Sequence, residues 1–329
     1  MKALVEERST ALSHRFEPQT LRGSALAEIK IETILVPLDF SELSLEALRY
    51  ATSIGKKFGA AVHLVHVDEA DEGSEITGVG HLKRETASSI VSLRDELLGH
   101  GKQVGGFWPE ECHVRTGQPY QEICTLAHEI DASLIVLGTR GHTGLKRILL
   151  GSTAERVARF AACPVLVVRR LRRNKPKRFV LRKILAPIDF SPCSTAAAMY
   201  AALLAKNFDA KLSLLHVFAG VVPSAGGEER RNKPLQKNDD IDLENARLDM
   251  EAFMQLDFLR DLKRKAEICG GGAVDEICRK ALESDVDLVV ISTHGRTGFN
   301  RMMLGSVAEH VLRCAQCPVM VVPSHSPTS

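Results

Sequence analysis

Apolar and polar positions follow two rhythms along this chain. Short blocks are almost wholly apolar, and longer stretches carry apolar residues at helical spacing. The blocks read as buried strands and the stretches as amphipathic helices. Ile34 to Val36 is the first strand, and Pro37 ends it because it cannot donate to a ladder. Leu45, Leu48, Ala51, Ile54 and Phe58 then predict a helix from Glu42 to Phe58, with Ser41 as its N-cap and Gly59 as a left-handed C-cap. Val62 to Val67 is a second strand. A polar stretch from Asp68 to Gly80 precedes a helix from about Lys83 to His100, and Cys112-His113-Val114 is a short third strand. Pro119 opens a helix to Glu129. Leu134 to Leu137 is the fourth strand, Ser152 to Ala161 a helix, and Pro164 to Val168 the fifth strand.

The same series then repeats. Lys183 to Ser191 matches the opening Ile31 to Ser41, shifted by about 150 positions. Pro192 follows the cap Ser191 at the first helical position, where its missing N–H costs nothing. Leu212 to Val217 matches the second strand. A stretch from about Ala219 to Asp242, rich in Pro, Gly and charge, reads as a mobile loop. A helix from about Leu243 to Leu262 and a strand near Lys265 to Cys269 follow. Val274–Ala281, Asp287–Ile291, Ser306–Arg313 and Pro318–Val322 complete the second copy. Strands alternating with helices imply right-handed βαβ units and a parallel sheet covered on both faces, an α/β fold.

One stretch of each copy carries candidate chemistry. Gly138-Thr139-Arg140-Gly141 follows the fourth strand, and after nine residues Gly151-Ser152 opens the next helix. Strand, glycine-containing loop and helix N-terminus form a seat for phosphate: glycines admit close backbone approach, and the first helical turn offers unpaired N–H donors. Ser152 and Thr153 add hydroxyl donors. The second copy reads Ser292-Thr293-His294-Gly295, nine residues, Gly305-Ser306.

This Gly-x2-Gly-x9-Gly-Ser pattern resembles the ATP-binding signature of the universal stress proteins, and the chain resembles a tandem of two such domains. The resemblance implies two Rossmann-like repeats of the adenine nucleotide alpha hydrolase-like type. Each would have five parallel strands in the order 3-2-1-4-5, helices on both faces, and a cleft at the carboxyl ends where strands one and four adjoin. Asp39 and Gly138 would face that cleft, as would Asp189 and Ser292. By the same resemblance Gly138 and Gly141 lie against ribose and phosphates, and Gly151, Ser152 and Thr153 take the phosphate tail. Pro37 and Val67 frame the adenine, with Leu137 beside the loop. Pro187, Val217, Gly295, Gly305, Ser306 and Val307 are the matching positions of the second copy.

Alternatives stay open at three of these positions. Asp39 can accept from an adenine amine or ribose hydroxyl, or simply close an Asx-turn. Arg140 can charge-pair with a phosphate or point into solvent. Ser292 replaces a glycine, so its Cβ could crowd a ribose or force a less tolerant backbone angle, and His294 stands where Arg140 stands.

Composition narrows the classes. At 329 residues there is room for two domains, expected at 31–170 and 181–323, with an extension at 1–30, a linker at 171–180 and a disordered tail at 324–329. The net charge of +2 points to no nucleic-acid or membrane partner. The basic run Arg169 to Arg178 lacks interleaved aromatics and reads as a solvated linker stiffened by Pro176. Residues 1–30 lack an apolar signal core. With no secretion signal, the eight scattered cysteines read as reduced thiols in a cytoplasmic protein. Cys314-x2-Cys317 has redox spacing but ends a helix, where no dipole lowers a thiol pKa, so packing is expected. His63, His66 and His216 read as packing or hydrogen-bonding residues, and no group along the chain has metal-ligand spacing.

There is no Gly-x4-Gly-Lys-Ser/Thr loop and no nucleophile elbow. Those absences argue against efficient turnover, and the resemblance implies non-enzymatic binding of an adenine nucleotide in stress response or signalling. The nucleotide would be ATP, or AMP or ADP, with Mg2+ able to accompany it, and hydrolysis slow at most. A dimerisation scaffold with a vestigial site is the alternative, and an ATP-dependent activating enzyme ranks third. The resemblance also implies that Val165–Val168 and Val319–Val322 pair, making one chain a pseudo-dimer, with further homodimerisation open; such pairing removes two strand edges.

Overall fold

The computed structural model describes residues 29–68, 99, 111–139, 150–169, 181–218, 237–295 and 304–324. Nearly all of the expected N-terminal extension and of the helix from Lys83 to His100, the linker 171–180 and most of the Ala219–Asp242 loop lie outside these residues, as do Arg140 and Gly141. The chain forms two compact units, around Lys30–Phe179 and around Val180–Ser329.

The first unit runs β1 (Thr33–Pro37), α1 (Glu42–Phe58), β2 (Ala61–Asp68), β3 (Glu111–Thr116), α2 (Pro119–Glu129), β4 (Leu134–Gly138), α3 (Ser152–Phe160) and β5 (Val165–Val168). Its strands are parallel in the order β3-β2-β1-β4-β5, the order 3-2-1-4-5. Ile34, Leu35 and Val36 are completely buried, as a central strand covered on both faces requires. The Ser41 hydroxyl caps α1 by accepting from the Ser44 N–H at 3.2 Å. Gly59 ends the helix in the left-handed region, φ 70°, where a glycine carries no Cβ penalty. At the amino end of the sheet the Ser133 hydroxyl accepts from the N–H groups of Glu32 and Thr33, both at 3.0 Å, fixing β1 against the start of β4.

The second unit runs β6 (Lys183–Pro187), α4 (Pro192–Phe208), β7 (Lys211–Phe218), α5 (Lys237–Met254), a 3-10 turn (Asp257–Leu259), β8 (Arg264–Gly270), α6 (Ala273–Glu283), β9 (Leu288–Ser292), α7 (Ser306–Cys314) and β10 (Val319–Val322). Its parallel order is β8-β7-β6-β9-β10, the same winding. In both units the winding reverses between the first and fourth strands, so the crevice at a switch point opens beyond β1 and β4, and beyond β6 and β9.

Two boundaries differ from the sequence reading. Helix α5 starts at Lys237, inside the expected loop, and stops at Met254 instead of Leu262. The stop has a cause. The Arg264 guanidinium donates to the Met254 carbonyl at 3.0 Å and also to the Leu259 carbonyl, satisfying one acceptor at the helix end and one in the turn after it. The turn lets Leu256 and Leu259 bury beside Phe253, which is itself completely enclosed. Phe253 meets Phe190 edge-on with ring centroids 6.1 Å apart, so this helix buttresses the residue that follows Asp189. Among the described residues, no helix is long and apolar enough to cross a membrane.

Candidate functional site

The chain leaves β1 under tight control. The Leu38 N–H donates to the Val65 carbonyl at 2.8 Å, and His66 Nδ1 lies 2.7 Å from the Leu38 carbonyl. A carbonyl only accepts, so Nδ1 carries the proton. The second unit repeats this. The Ile188 N–H donates to Leu215 at 2.8 Å, and His216 Nδ1 donates to the Ile188 carbonyl at 2.8 Å. Two residues on, Phe40 and Phe190 adopt φ of 61° and 60°. A bulky residue in the left-handed region costs about 1–3 kcal/mol and persists only where its surroundings enforce it. The enforcement includes ring packing: Phe40 lies 5.0 Å from His66 and Phe190 4.5 Å from His216, centroid to centroid. Both units therefore hold a strained turn around one aspartate. From the sequence His66 and His216 read as packing or hydrogen-bonding residues with no link to this turn, and the phenylalanines carry no signal of it.

The aspartate does close an Asx-turn. Asp39 Oδ1 accepts from the Ser41 N–H at 3.1 Å. Asp189 Oδ1 accepts from the Ser191 N–H at 3.0 Å and from its hydroxyl at 2.6 Å. Its second oxygen reaches the loop: a Cβ placed on Gly295 would stand 2.7 Å from Asp189 Oδ2. In this unit the carboxylate therefore lies beside the first part of the signature loop.

The loop after β4 is pinned at its base. The Thr139 N–H donates to Val168 at 2.9 Å, and the Thr139 carbonyl accepts from the Gly151 N–H at 2.7 Å. Thr293 does the same, with its N–H on Val322 at 2.9 Å and its carbonyl on the Gly305 N–H at 2.6 Å. A Cβ on Gly305 would lie 2.8 Å from the Thr293 carbonyl oxygen, so glycine there is a steric requirement. Gly151 and Gly305 are the N-cap residues of α3 and α7, and neither helix has a side-chain cap. In α3 the first N–H bonded back to the Gly151 carbonyl is that of Glu155, at 3.0 Å. The N–H groups of Ser152 and Thr153, and of Ser306 and Val307, thus belong to uncapped first turns at the positive end of a helix dipole. Helices α1 and α4, by contrast, are capped by Ser41 and Ser191.

Gly138 proves to have a packing reason. A Cβ there would lie 2.9 Å from the Leu43 carbonyl carbon and 3.0 Å from its oxygen, so the glycine lets α1 close on β4. At the matching position Ser292 keeps an ordinary backbone, absent from the left-handed residues, and its hydroxyl donates to the His294 carbonyl at 2.7 Å. The less tolerant backbone angle expected as one alternative is not adopted. His294 Nδ1 is 3.0 Å from the Thr293 hydroxyl. Of the other expected positions, Pro37 is the register partner of Val65 and Pro187 of Leu215. Leu137 is buried beside the loop, and Val67 and Val217 are half-buried one residue before their strands end.

Other chemistry lies elsewhere. A cleft in the second unit lined by Leu185, Ser213, Lys265, Glu267 and Lys280 sits toward the amino ends of β7 and β8, away from Asp189. None of the eight cysteines forms a disulfide. Burial pushes the Cys163 thiol up to about 12 and Cys124 up to about 11, which makes both poor nucleophiles. Cys314 ends α7 exposed and Cys317 is buried. Spacing along the chain showed no metal-ligating group, but the sheet brings His63, Glu111 and His113 together.

Comparisons with known proteins identify the family. The sequence profile of the Universal stress protein family matches residues 30–169 and again 181–323. Universal stress protein MJ0531 of Methanocaldococcus jannaschii is 39% identical over 148 residues, 44% of this chain and 83% of that protein. A universal stress protein of Mycolicibacterium smegmatis is 27% identical over 302 residues, 88% of this chain and 96% of that one. The crystal structure of a universal stress protein from Archaeoglobus fulgidus superposes with a TM-score of 0.60 at 23% identity, covering 90% of this chain and 97% of the other.

Proposed function

The chain belongs to the universal stress protein family as a tandem of two family domains, and from that premise we propose that it binds an adenine nucleotide, ATP or its AMP and ADP relatives, in stress response or signalling. The carrying observation is the placement of Asp189 Oδ2 beside Gly295, where a Cβ would stand 2.7 Å from it, on the same crevice as the uncapped N-terminus of α7. An adenosine seated there would meet the carboxylate of Asp39 or Asp189 with an amine or ribose hydroxyl. Its phosphates would meet the N–H groups of Ser152 and Thr153, or of Ser306 and Val307. Arg140, Gly141 and His294 complete the proposed seat, and Mg2+ would arrive already bound to the phosphates. The nucleotide would supply an occupancy signal read by a partner. The sequence carries neither a phosphate-loop lysine motif nor a nucleophile elbow, so hydrolysis is proposed to be slow at most. The cytoplasm is the proposed location, and the last strands of the two repeats are proposed to pair.

Retention of radiolabelled ATP by the purified full chain tests this. Asp39→Ala and Asp189→Ala each remove a charged acceptor worth about 1.5–3 kcal/mol, so each weakens its own site about 10- to 100-fold.

A second reading, a scaffold with a vestigial site, is favoured by one observation: Gly138 is already accounted for by Leu43, with no ligand needed. A well-folded chain that retains no nucleotide supports that reading and ends the first.

A further inference from the structure

Outside the nucleotide crevice, the first unit gathers two imidazoles and a carboxylate on one face of its sheet. His63 of β2 is the register partner of Glu111 of β3, and Val65 is the partner of His113. Residues two apart on a strand share a face, so all three groups converge although Glu111 and His63 are far apart in sequence. His63 Nδ1 lies 3.2 Å from His113 Nε2. His113 Nε2 lies 3.8 Å from Glu111 Oε2, and the three ligand atoms fall within 4.8 Å of one another.

We propose that His63, Glu111 and His113 bind a divalent cation of the zinc class. Zinc–nitrogen bonds of about 2.0–2.1 Å in a tetrahedron set neighbouring ligand atoms about 3.3 Å apart. The 3.2 Å between the two ring nitrogens matches that edge. The carboxylate is 0.5 Å longer than this spacing at 3.8 Å, and at 59% exposed it has room to swing in. Two imidazoles and one carboxylate form an established zinc donor set, which leaves a fourth position for water. A bound ion would tie β3 to β2, its partner strand among the described residues.

The second repeat is an internal control. At the same register positions it carries Ser213, Lys265 and Glu267. There Glu267 pairs with Lys265 and with Lys280, the latter at 2.6 Å. Lysines repel a cation, so among the described residues the site belongs to the first repeat, and one equivalent is expected.

The competing account of the 3.2 Å contact is an ordinary N–H···N hydrogen bond between the rings, with no metal. Calorimetric titration of the chelator-stripped full chain with Zn2+ separates the two. The expected result is one equivalent bound. His63→Gln and His113→Gln each weaken it more than about 100-fold, beyond the 10- to 100-fold that an outer-shell partner contributes, while Cys314→Ser leaves it unchanged. Circular dichroism reports whether the histidine variants fold. If they do not, the exposed Glu111→Gln decides, with at least about a 10-fold loss expected. No bound equivalent in the unaltered chain, or variants that bind like it, overturns the proposal.

Discussion

The second carboxylate oxygen of Asp189 lies beside Gly295, so placed that a methyl group at 295 would stand 2.7 Å from it. The first oxygen is held by Ser191 through two hydrogen bonds, so the carboxylate cannot yield without breaking its turn. Gly295→Ala is therefore expected to displace Asp189 and weaken nucleotide binding by the second repeat about 10-fold, the equivalent of about 1.4 kcal/mol. Titration with a fluorescent ATP analogue checks this. Unchanged affinity would show that the carboxylate is not part of the seat.

Gly138 and Ser292 occupy matching positions but answer to different neighbours. Gly138→Ser forces a Cβ against the Leu43 backbone and is expected to cost about 1–3 kcal/mol, as overpacking does. Ser292→Gly removes one hydroxyl bond to the His294 carbonyl and adds chain freedom, together about 1–2 kcal/mol. Chemical denaturation of both variants tests the pair. A Gly138→Ser chain as stable as the parent would mean that α1 does not close on β4 as described.

Glu267 gives the second repeat an acid-sensitive link. Burial raises its pKa, but hydrogen bonds from Lys265 and Lys280 outweigh that and hold it below its ordinary 4.5. The folded value is lower than the unfolded one. The pair therefore stabilises the fold above pH 4.5, and the contribution fades as pH falls through the folded value. The stability gap between the parent and Glu267→Gln should be present near neutrality and close on acidification. Solvent screening keeps it below about 1 kcal/mol. Thermal melts across that range check it, and a gap independent of pH would contradict it.

Val165–Val168 and Val319–Val322 are short, apolar and largely β-branched, suited to pairing with a like strand. Residues 31–170 expressed alone are expected to dimerise through β5. Sedimentation at high concentration tests this; a well-folded monomer would remove the pseudo-dimer from the account.

Much of the fold was legible because each signal was local. The capping serines, Gly59 after its helix and the blocks of Ile, Leu and Val sit within a few positions of what they organise, and the second copy repeats the opening residue by residue. What escaped was set across strands. His66 reaches the Leu38 carbonyl, and His63 meets His113, only through the register of β1, β2 and β3. From the sequence Gly138 reads as making room for a ligand, because its other neighbour, Leu43, belongs to a helix early in the chain. The end of α5 depended on Arg264, beyond the helix it stops.

The central claim is a polyphosphate seat of backbone N–H groups facing an aspartate. A high-resolution crystal structure of the full chain grown with ATP tests it most directly. The account requires phosphate density at the first turn of α3 or α7 and adenosine density beside Asp39 or Asp189. Crevices free of density at saturating ATP, or nucleotide bound elsewhere on the protein, would contradict it.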